Sequence, residues 1–431
     1  QSINRGMVLP GFQSKPEFIG QNFSDGAPGF DFLTGMQSDD YRFKAARNGW
    51  LSQDPRVTNM YMTDYRKNIS GRATLEPIQD LRIELNISQS QSLNQQSQFR
   101  YDTIFDVFRD VGPLMESGNY SITYNVFATT FSKELDNGSS EAFEKFQENR
   151  IIIANRLAQD PLRPGGARGT DGFPEGYSRT SQEVLIPAFL AAYSGKDASK
   201  VSMSPFPKMP VPNWSLRYTG LTKIEAIKQY ASNVSINHQY NSTYNVGSFQ
   251  TILDSATTTL AGDYGSQYQI RSISIVERWG PFIGFDVTFV NNISTRFEYK
   301  RDRTLNFALT NQQLSEQKGS EYVFGLGYRF NKLRLPFVRD GRTMVLDNDI
   351  NFRFDFSIRD QLTKVRNLDR VSNDAVQGSN VISIRPTIEY NINEKLMLRI
   401  FYDRRQTKPY TSNQFPTIIT SGGFSLRYTI Q

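Results

Sequence analysis

The chain has no cysteine and one histidine among its 431 residues. A disulfide, a thiolate nucleophile or a cysteine metal site is therefore excluded, and imidazole chemistry is confined to His238. No apolar run approaches the roughly 18 residues that a transmembrane helix needs, and mean hydropathy is −0.50. A helical membrane protein is excluded, but a barrel is not. Barrel strands alternate apolar and polar residues, so averages hide them. The chain opens on Gln1 with no basic segment, apolar run and cleavage site, and is expected to be a mature chain or a piece of a longer one. No block of one charge sign stands out. The 49 basic and 43 acidic residues are dispersed, which argues against a nucleic-acid partner.

Aromatic residues, by contrast, are abundant: 31 Phe and 21 Tyr, a supply suited to the two aromatic girdles of a membrane barrel or to a β-sheet core. Their spacing organises the chain. Residues 1–70 are irregular and punctuated by Gly and Pro, and read as a loop or insert. Residues 71–131 carry barrel strands. Leu81, Ile83, Leu85 and Ile87 alternate with polar residues, as do Tyr120, Ile122, Tyr124 and Val126.

Residues 132–212 break the alternation. Ser140 is placed to cap a helix carrying Phe143, Phe146, Ile153 and Leu157 on one face. Thr180 with Glu183 has the spacing of a capping box for a second helix, with Pro187 inside it and Gly195 at its end. Pro205, Pro207, Pro210 and Pro212 then predict a stiff extended segment. This stretch reads as a small helical and Pro-rich periplasmic insert.

Residues 213–431 return to strands. Ile350, Phe352, Phe354, Phe356 and Ile358 alternate with Asn351, Arg353, Asp355 and Ser357. The apolar five are expected to face lipid, with Arg353 and Asp355 towards a wet lumen. Phe424, Leu426, Tyr428 and Ile430 form the expected C-terminal barrel strand. Tight turns at Asn291-Asn292 and Asn393-Glu394-Lys395 alternate with long polar stretches at 310–320, 359–380 and 403–418. The barrel habit puts short turns and the C-terminus in the periplasm and long loops outside. The fold class is all-β: about twelve antiparallel transmembrane strands of a larger barrel. A soluble sandwich also accounts for one-sided strands. Recurrence of the pattern and charged polar partners favour the membrane.

Nothing argues for catalysis or a cofactor. His238 shares a strand face with Ile236 and Tyr240 and lacks identifiable partners for a dyad or metal. Asp347-Asn348-Asp349 lacks the Gly and Glu of a calcium loop. Gly165-Gly166-Ala167-Arg168-Gly169 follows no strand and lacks the Lys-Ser/Thr of a phosphate loop. Gly325 and Gly327 read as strand glycines.

Several longer stretches carry a family resemblance: Ser181–Gly195 (SQEVLIPAFLAAYSG), Pro212–Leu221 (PNWSLRYTGL), Ser242–Phe249 (STYNVGSF), Arg72–Pro77 (RATLEP) and Asn48–Leu51 (NGWL). Together they resemble the C-terminal part of the SprA (Sov) family of the Bacteroidota. That resemblance implies a place in the outer membrane of a Gram-negative bacterium. It also implies a part in the protein-conducting channel of the type IX secretion system, exporting folded cargo with C-terminal targeting domains, including gliding-motility adhesins. It further implies partners: a PorV-like outer-membrane protein, a plug protein, periplasmic accessory proteins with a motor, and the remainder of the same polypeptide, since family members are several times longer. Another transport barrel (a porin or nutrient receptor) and a soluble surface adhesin are the alternatives.

Overall fold

The computed structural model describes residues 1–431 except 16, 35–36, 39, 136–138, 253–261, 331–332, 340–341, 347, 369–372, 394, 412–413 and 430–431; side chains are also left undescribed at Leu33, 331–347 and 371–376. The strands are β1 (Ser2–Val8), β2 (Tyr61–Ile78), β3 (Leu81–Ser97), β4 (Phe99–Asp102), β5 (Val107–Asp110), β6 (Met115–Thr123), β7 (Asn213–Tyr218), β8 (Ala231–Thr251) and β9 (Tyr268–Ile270). There follow β10 (Ser272–Phe289), β11 (Ile293–Ala308), β12 (Gln313–Phe330), β13 (Leu333–Arg339), β14 (Arg342–Leu346), β15 (Ile350–Asn367), β16 (Asn373–Asn391), β17 (Leu396–Pro409) and β18 (Thr417–Tyr428). Helices are short except α3 (Glu141–Leu157) and α4 (Gln182–Ser194), which follow α1 (Phe30–Leu33) and α2 (Tyr41–Arg47). No helix among the described residues is long and apolar enough to cross a membrane.

One antiparallel sheet dominates, in the order β1-β2-β3-β6-β8-β10-β11-β12-β15-β16-β17-β18. Neighbours in this path mostly follow each other in sequence, because antiparallel strands can be joined by short turns. At Asn291-Asn292, Asn292 takes φ +64° and the Asn291 side chain accepts from the Ile293 amide, so two asparagines close β10 to β11. Among the described residues β1 and β18 each have one neighbour.

One lane of the sheet is shared. β6 pairs with Gln89–Gln96 of β3, and β7 pairs with Leu81–Asn86 of the same strand. Both also pair with β8. β6 and β7 thus form a single interrupted strand, and the chain between Thr123 and Asn213 is looped out of its middle. The Val211 amide donates to the Thr123 carbonyl at 3.0 Å and closes the break.

This excursion is the helical insert, and it starts several residues before the expected position 132. Ser140 caps α3 as expected, accepting from the Phe143 amide. At α4 the expectation fails. Thr180 is not the cap: the helix starts at Gln182, and Glu183 pairs with Arg163 at 3.3 Å instead. α4 runs through Pro187 and ends on Gly195 at φ +70°. It is buried almost all round, between α3 and the sheet. Phe146 and Phe189 meet Phe307 of β11, and Ile273, Ile275 and Leu314 complete this core. The proline segment is strapped down by Tyr244, which donates to the Pro205 carbonyl at 3.0 Å, and by Tyr120, which donates to that of Pro207.

Two further expectations are corrected. Residues 1–70 are not wholly irregular: β1 pairs with β2, which already begins at Tyr61. Around them, Tyr41, Ala45, Trp50, Leu51, Tyr61 and Phe99 form a second, smaller core. Second, the polar stretches 310–320, 359–380 and 403–418 are largely strand. β12 starts at Gln313, β15 runs to Asn367, and β17 runs to Pro409. Charged and polar residues stand on both faces over much of these stretches, with apolar residues such as Leu314 few among them, so period-two alternation is lost while backbone pairing continues.

Gly118 gives a test of the shared lane. A Cβ there would lie 2.0 Å from the Ser92 carbonyl oxygen and against the Phe249 ring. Overpacking of this kind costs about 1–3 kcal/mol. Gly118→Ala is expected to lower the urea midpoint of the folded protein, whereas Gly112→Ala, with open space around its Cβ, leaves it unchanged.

Candidate functional site: an apolar belt and a polar face

The register places side chains in rows across the sheet, because a strand exposes every second residue on one face. One row runs Leu81, Tyr218, Ile236, Phe285, Phe297, Phe324, Phe356 and Ile384 through eight neighbouring strands. The next on the same face holds Val287, Thr295, Leu326, Phe354 and Pro386, and the one after it Tyr328, Phe352, Ile388, Ile400 and Phe424. Together they make a continuous apolar belt. On β15 it spans Ile350–Ile358, nine residues, or about 27 Å of extended strand. Much of it is open: Phe297, Tyr322, Phe324, Ile388 and Ile400 are exposed, and Phe424 is 74% exposed.

The belt moves along the strands. On β8 it reaches up to Tyr240, but on β17 it has descended to Leu398–Tyr402, with Arg404 standing beside Ile384. A belt at constant height on tilted strands requires this drift.

Aromatic rings mark both borders. Across the upper one, Trp214 stacks on Tyr240 at 4.4 Å, Tyr240 meets Trp279 at 4.4 Å, Trp279 meets Phe282 at 5.2 Å, and Tyr299 stacks on Tyr322 at 4.7 Å. Tyr328, Phe330, Tyr390 and Tyr428 stand near the lower border. Sequence reading missed the upper row. It crosses five strands, and only pairing register brings it together. Two of the three tryptophans of the chain lie in it.

His238 belongs to this row and is fully engaged. Its Nδ1 donates to the Phe282 carbonyl at 2.5 Å, and its Nε2 accepts from Trp214 Nε1 at 3.2 Å. That pair of bonds requires the Nδ1–H tautomer and leaves no lone pair for a metal or a substrate.

The opposite face is predominantly polar, with Val323, Phe401 and Ile419 among its few apolar residues. Arg353 and Asp355 lie on it, opposite Gly327 and Gly325, whereas Ile350, Phe352, Phe354, Phe356 and Ile358 are on the belt. Gly325 leaves a slot across which Arg296 reaches Asp355 at 3.6 Å. Arg385 pairs with Asp403 at 3.3 Å and Arg399 with Glu389 at 3.8 Å. Exposed pairs contribute about 0–1 kcal/mol each, so this face is built for contact with water rather than for stability. Two open grooves on it, of about 390 and 400 Å³, are lined by Arg296, Arg353 and Asp355 and by Arg296, Asp355 and Arg385, respectively. Phe424, Leu426 and Tyr428 lie on the belt face of β18, and Ile430 falls outside the described residues.

Above the belt, on the same face, the strands carry the insert on a buried ionic cluster that sequence reading also missed. Glu316 accepts from Arg303 Nε at 2.8 Å and from Arg366 Nη1 at 2.5 Å, and all three side chains are at most 5% exposed. Glu134 of the insert binds Lys318 at 2.6 Å and Lys364 at 2.7 Å, while Arg303 donates to the Thr129 carbonyl at 2.9 Å. The insert and the Tyr428 end of β18 therefore lie at opposite ends of the strands with the belt between them. They cannot both be periplasmic if the belt is a membrane belt. The expectations of a periplasmic insert and of a periplasmic C-terminus therefore exclude each other for a membrane belt.

No family model matches the chain, and no curated protein does. Among solved structures, an anion-selective porin from Comamonas acidovorans is similar over 87% of this chain and 91% of its own, at 8% identity and a TM-score of 0.13.

Proposed function

We propose that this chain is part of the wall of an outer-membrane β-barrel, with the belt against lipid and the polar face against a water-filled lumen. One observation carries the reading: an exposed apolar belt kept in register across eight strands, with a polar face behind it. Soluble monomers rarely expose contiguous apolar patches above a few hundred Å², and nine residues meet the ~9–11 that a membrane strand requires. In lipid the backbone groups at the edges of β1 and β18 must be paired, so the wall is completed by further strands.

The finer reading is that this wall belongs to the protein-conducting channel of a type IX secretion system. It rests on the SprA-like motifs, of which Ser181–Gly195 is α4 with its caps and Pro212–Leu221 holds β7, the strand that rejoins the sheet. The wall then acts passively: it offers a wet, charged passage for folded cargo, and the driving energy comes from partners. Purification from outer membranes in detergent, with mass spectrometry of every co-purifying chain, tests this. The remainder of a very long polypeptide, with a PorV-like protein or a plug, is the expected result. A lone 49.3 kDa chain closing its own barrel would overturn it in favour of a porin or nutrient receptor. Recovery without detergent would favour a soluble adhesin.

A further inference from the structure

The insert leaves the sheet in an unusual place. It is spliced into the β6–β7 lane at Thr123 and Asn213, at the upper border of the belt, and it packs on the belt's own face rather than on the polar one. Just after the exit, the chain runs Phe127-Ala128-Thr129-Thr130-Phe131-Ser132-Lys133-Glu134-Leu135. Phe127, Phe131 and Leu135 recur every four residues and are 48%, 48% and 37% exposed. Burial was within easy reach, because the insert core lies alongside. Thr129 and Thr130 face inwards instead: Thr129 is bonded to the Tyr193 carbonyl at 2.7 Å and Thr130 to Glu277.

The exposed rings are continuous with the upper aromatic border. Phe127 lies 5.6 Å from Trp279 and 6.5 Å from Tyr240, and Phe131 lies 5.7 Å from Phe282. The Arg301 guanidinium covers Phe131 at 4.8 Å. Lys133 is exposed beside them. Aromatic rings held next to cations at the edge of an apolar belt are the composition of a membrane interface, where ring bodies enter the headgroup layer and cations meet lipid phosphates.

We propose that Phe127–Leu135 is a lipid-interface anchor: the insert overhangs the outside of the barrel wall and rests on the bilayer surface, with Phe127 and Phe131 seated in the headgroup layer. This rests on the reading of the belt as lipid-facing. The continuity of the rings with the belt border selects lipid over a protein partner as the occupant. The anchor fixes the insert relative to the membrane, so the two halves of the interrupted strand are held at the height where the belt ends.

The absence of cysteine from the chain permits a direct test. Single variants Phe131→Cys, Phe324→Cys and Met209→Cys are spin-labelled in the full-length protein, which is reconstituted into vesicles of phosphatidylethanolamine and phosphatidylglycerol. Collision with oxygen, which concentrates in lipid, is compared with collision with a water-soluble nickel chelate. Phe324 stands in the belt, and Met209 is 81% exposed on the proline strap. The expected oxygen-to-nickel ratio at position 131 lies between that at 324 and that at 209. A ratio at 131 equal to that at 209, with 324 in lipid, overturns the anchor and leaves the belt standing. A water-like ratio at 324 overturns the belt itself. Shielding of 131 from both reagents means that a protein covers the segment, and also overturns the anchor. Phe127→Leu serves as a folding control in the same vesicles, since it keeps apolar bulk at the exit.

Discussion

Phe354→Arg is expected to cost the assembled wall about 2–4 kcal/mol, the range for a cation near the bilayer midplane on a lipid-facing strand position. Phe354 sits in the middle of the belt, between Leu326 of β12 and Pro386 of β16. Its neighbour Arg353 lies on the opposite face, where Arg353→Ala removes one exposed charge from a surface that already holds many, for an expected change below about 0.5 kcal/mol. The pair separates the membrane reading from the soluble one. In water, an arginine at a partly exposed phenylalanine is tolerated and improves solubility. In lipid, it blocks insertion or lowers the urea midpoint of the inserted form. Folding into lipid vesicles, followed by heat-dependent mobility on a denaturing gel, reads the difference. Equal assembly of the two variants would mean that the faces are wrongly assigned.

The two faces were legible in the sequence because an apolar belt and a water-facing surface place opposite demands on alternate residues. Ile350 to Ile358 shows this without any structure. The same rule explains what was not legible. Above the belt, β11, β12 and β15 continue as paired strands with water on one face and the insert on the other, so Arg303, Glu316 and Arg366 stand where a belt residue would. A pattern search reads such residues as loop. Pairing in a sheet is set by neighbours more than a hundred residues away: Thr123 stands opposite Thr243, and Arg303 is bonded to Thr129. The interrupted lane is of the same kind. Neither β6 nor β7 spans the belt alone, and only their shared neighbours reveal one strand with an insert in its middle. Residues 1–70 hid a strand for a different reason: Ser2–Val8 alternates little, and its identity comes from pairing with β2.

The largest effect outside the belt is expected at Glu316. It is the only carboxylate within bonding distance of both Arg303 and Arg366 among the described residues, and Arg366 is fully buried. Removing one partner of a buried ionic group leaves unpaired charge and costs about 3–5 kcal/mol, more than the pair contributes when intact. Glu316→Ala leaves Arg303 without a carboxylate among the described residues and Arg366 with only the longer Glu134 contact at 3.5 Å, and is expected to release the insert. Proteolysis between Thr123 and Asn213 should then accelerate while the belt strands stay protected. Replacing all three residues together, as Arg303→Met, Glu316→Leu and Arg366→Met, should restore most of the protection, because an apolar trio of similar volume carries no desolvation penalty. Unchanged protection in Glu316→Ala would show that the aromatic contacts of Phe146 and Phe189 hold the insert by themselves. Acid provides a second route to release. Burial pushes the Glu134 carboxyl up, but hydrogen bonds from Lys318 and Lys364 and the charge of Arg366 outweigh it and hold its pKa below the ordinary value. A depressed carboxylate stabilises the folded form fully above its unfolded pKa of about 4.3 and loses that contribution as pH falls through the lower folded value. Insert protection should therefore weaken on acidification below about pH 4, and Glu134→Gln should remove part of that pH dependence while weakening the insert at neutral pH.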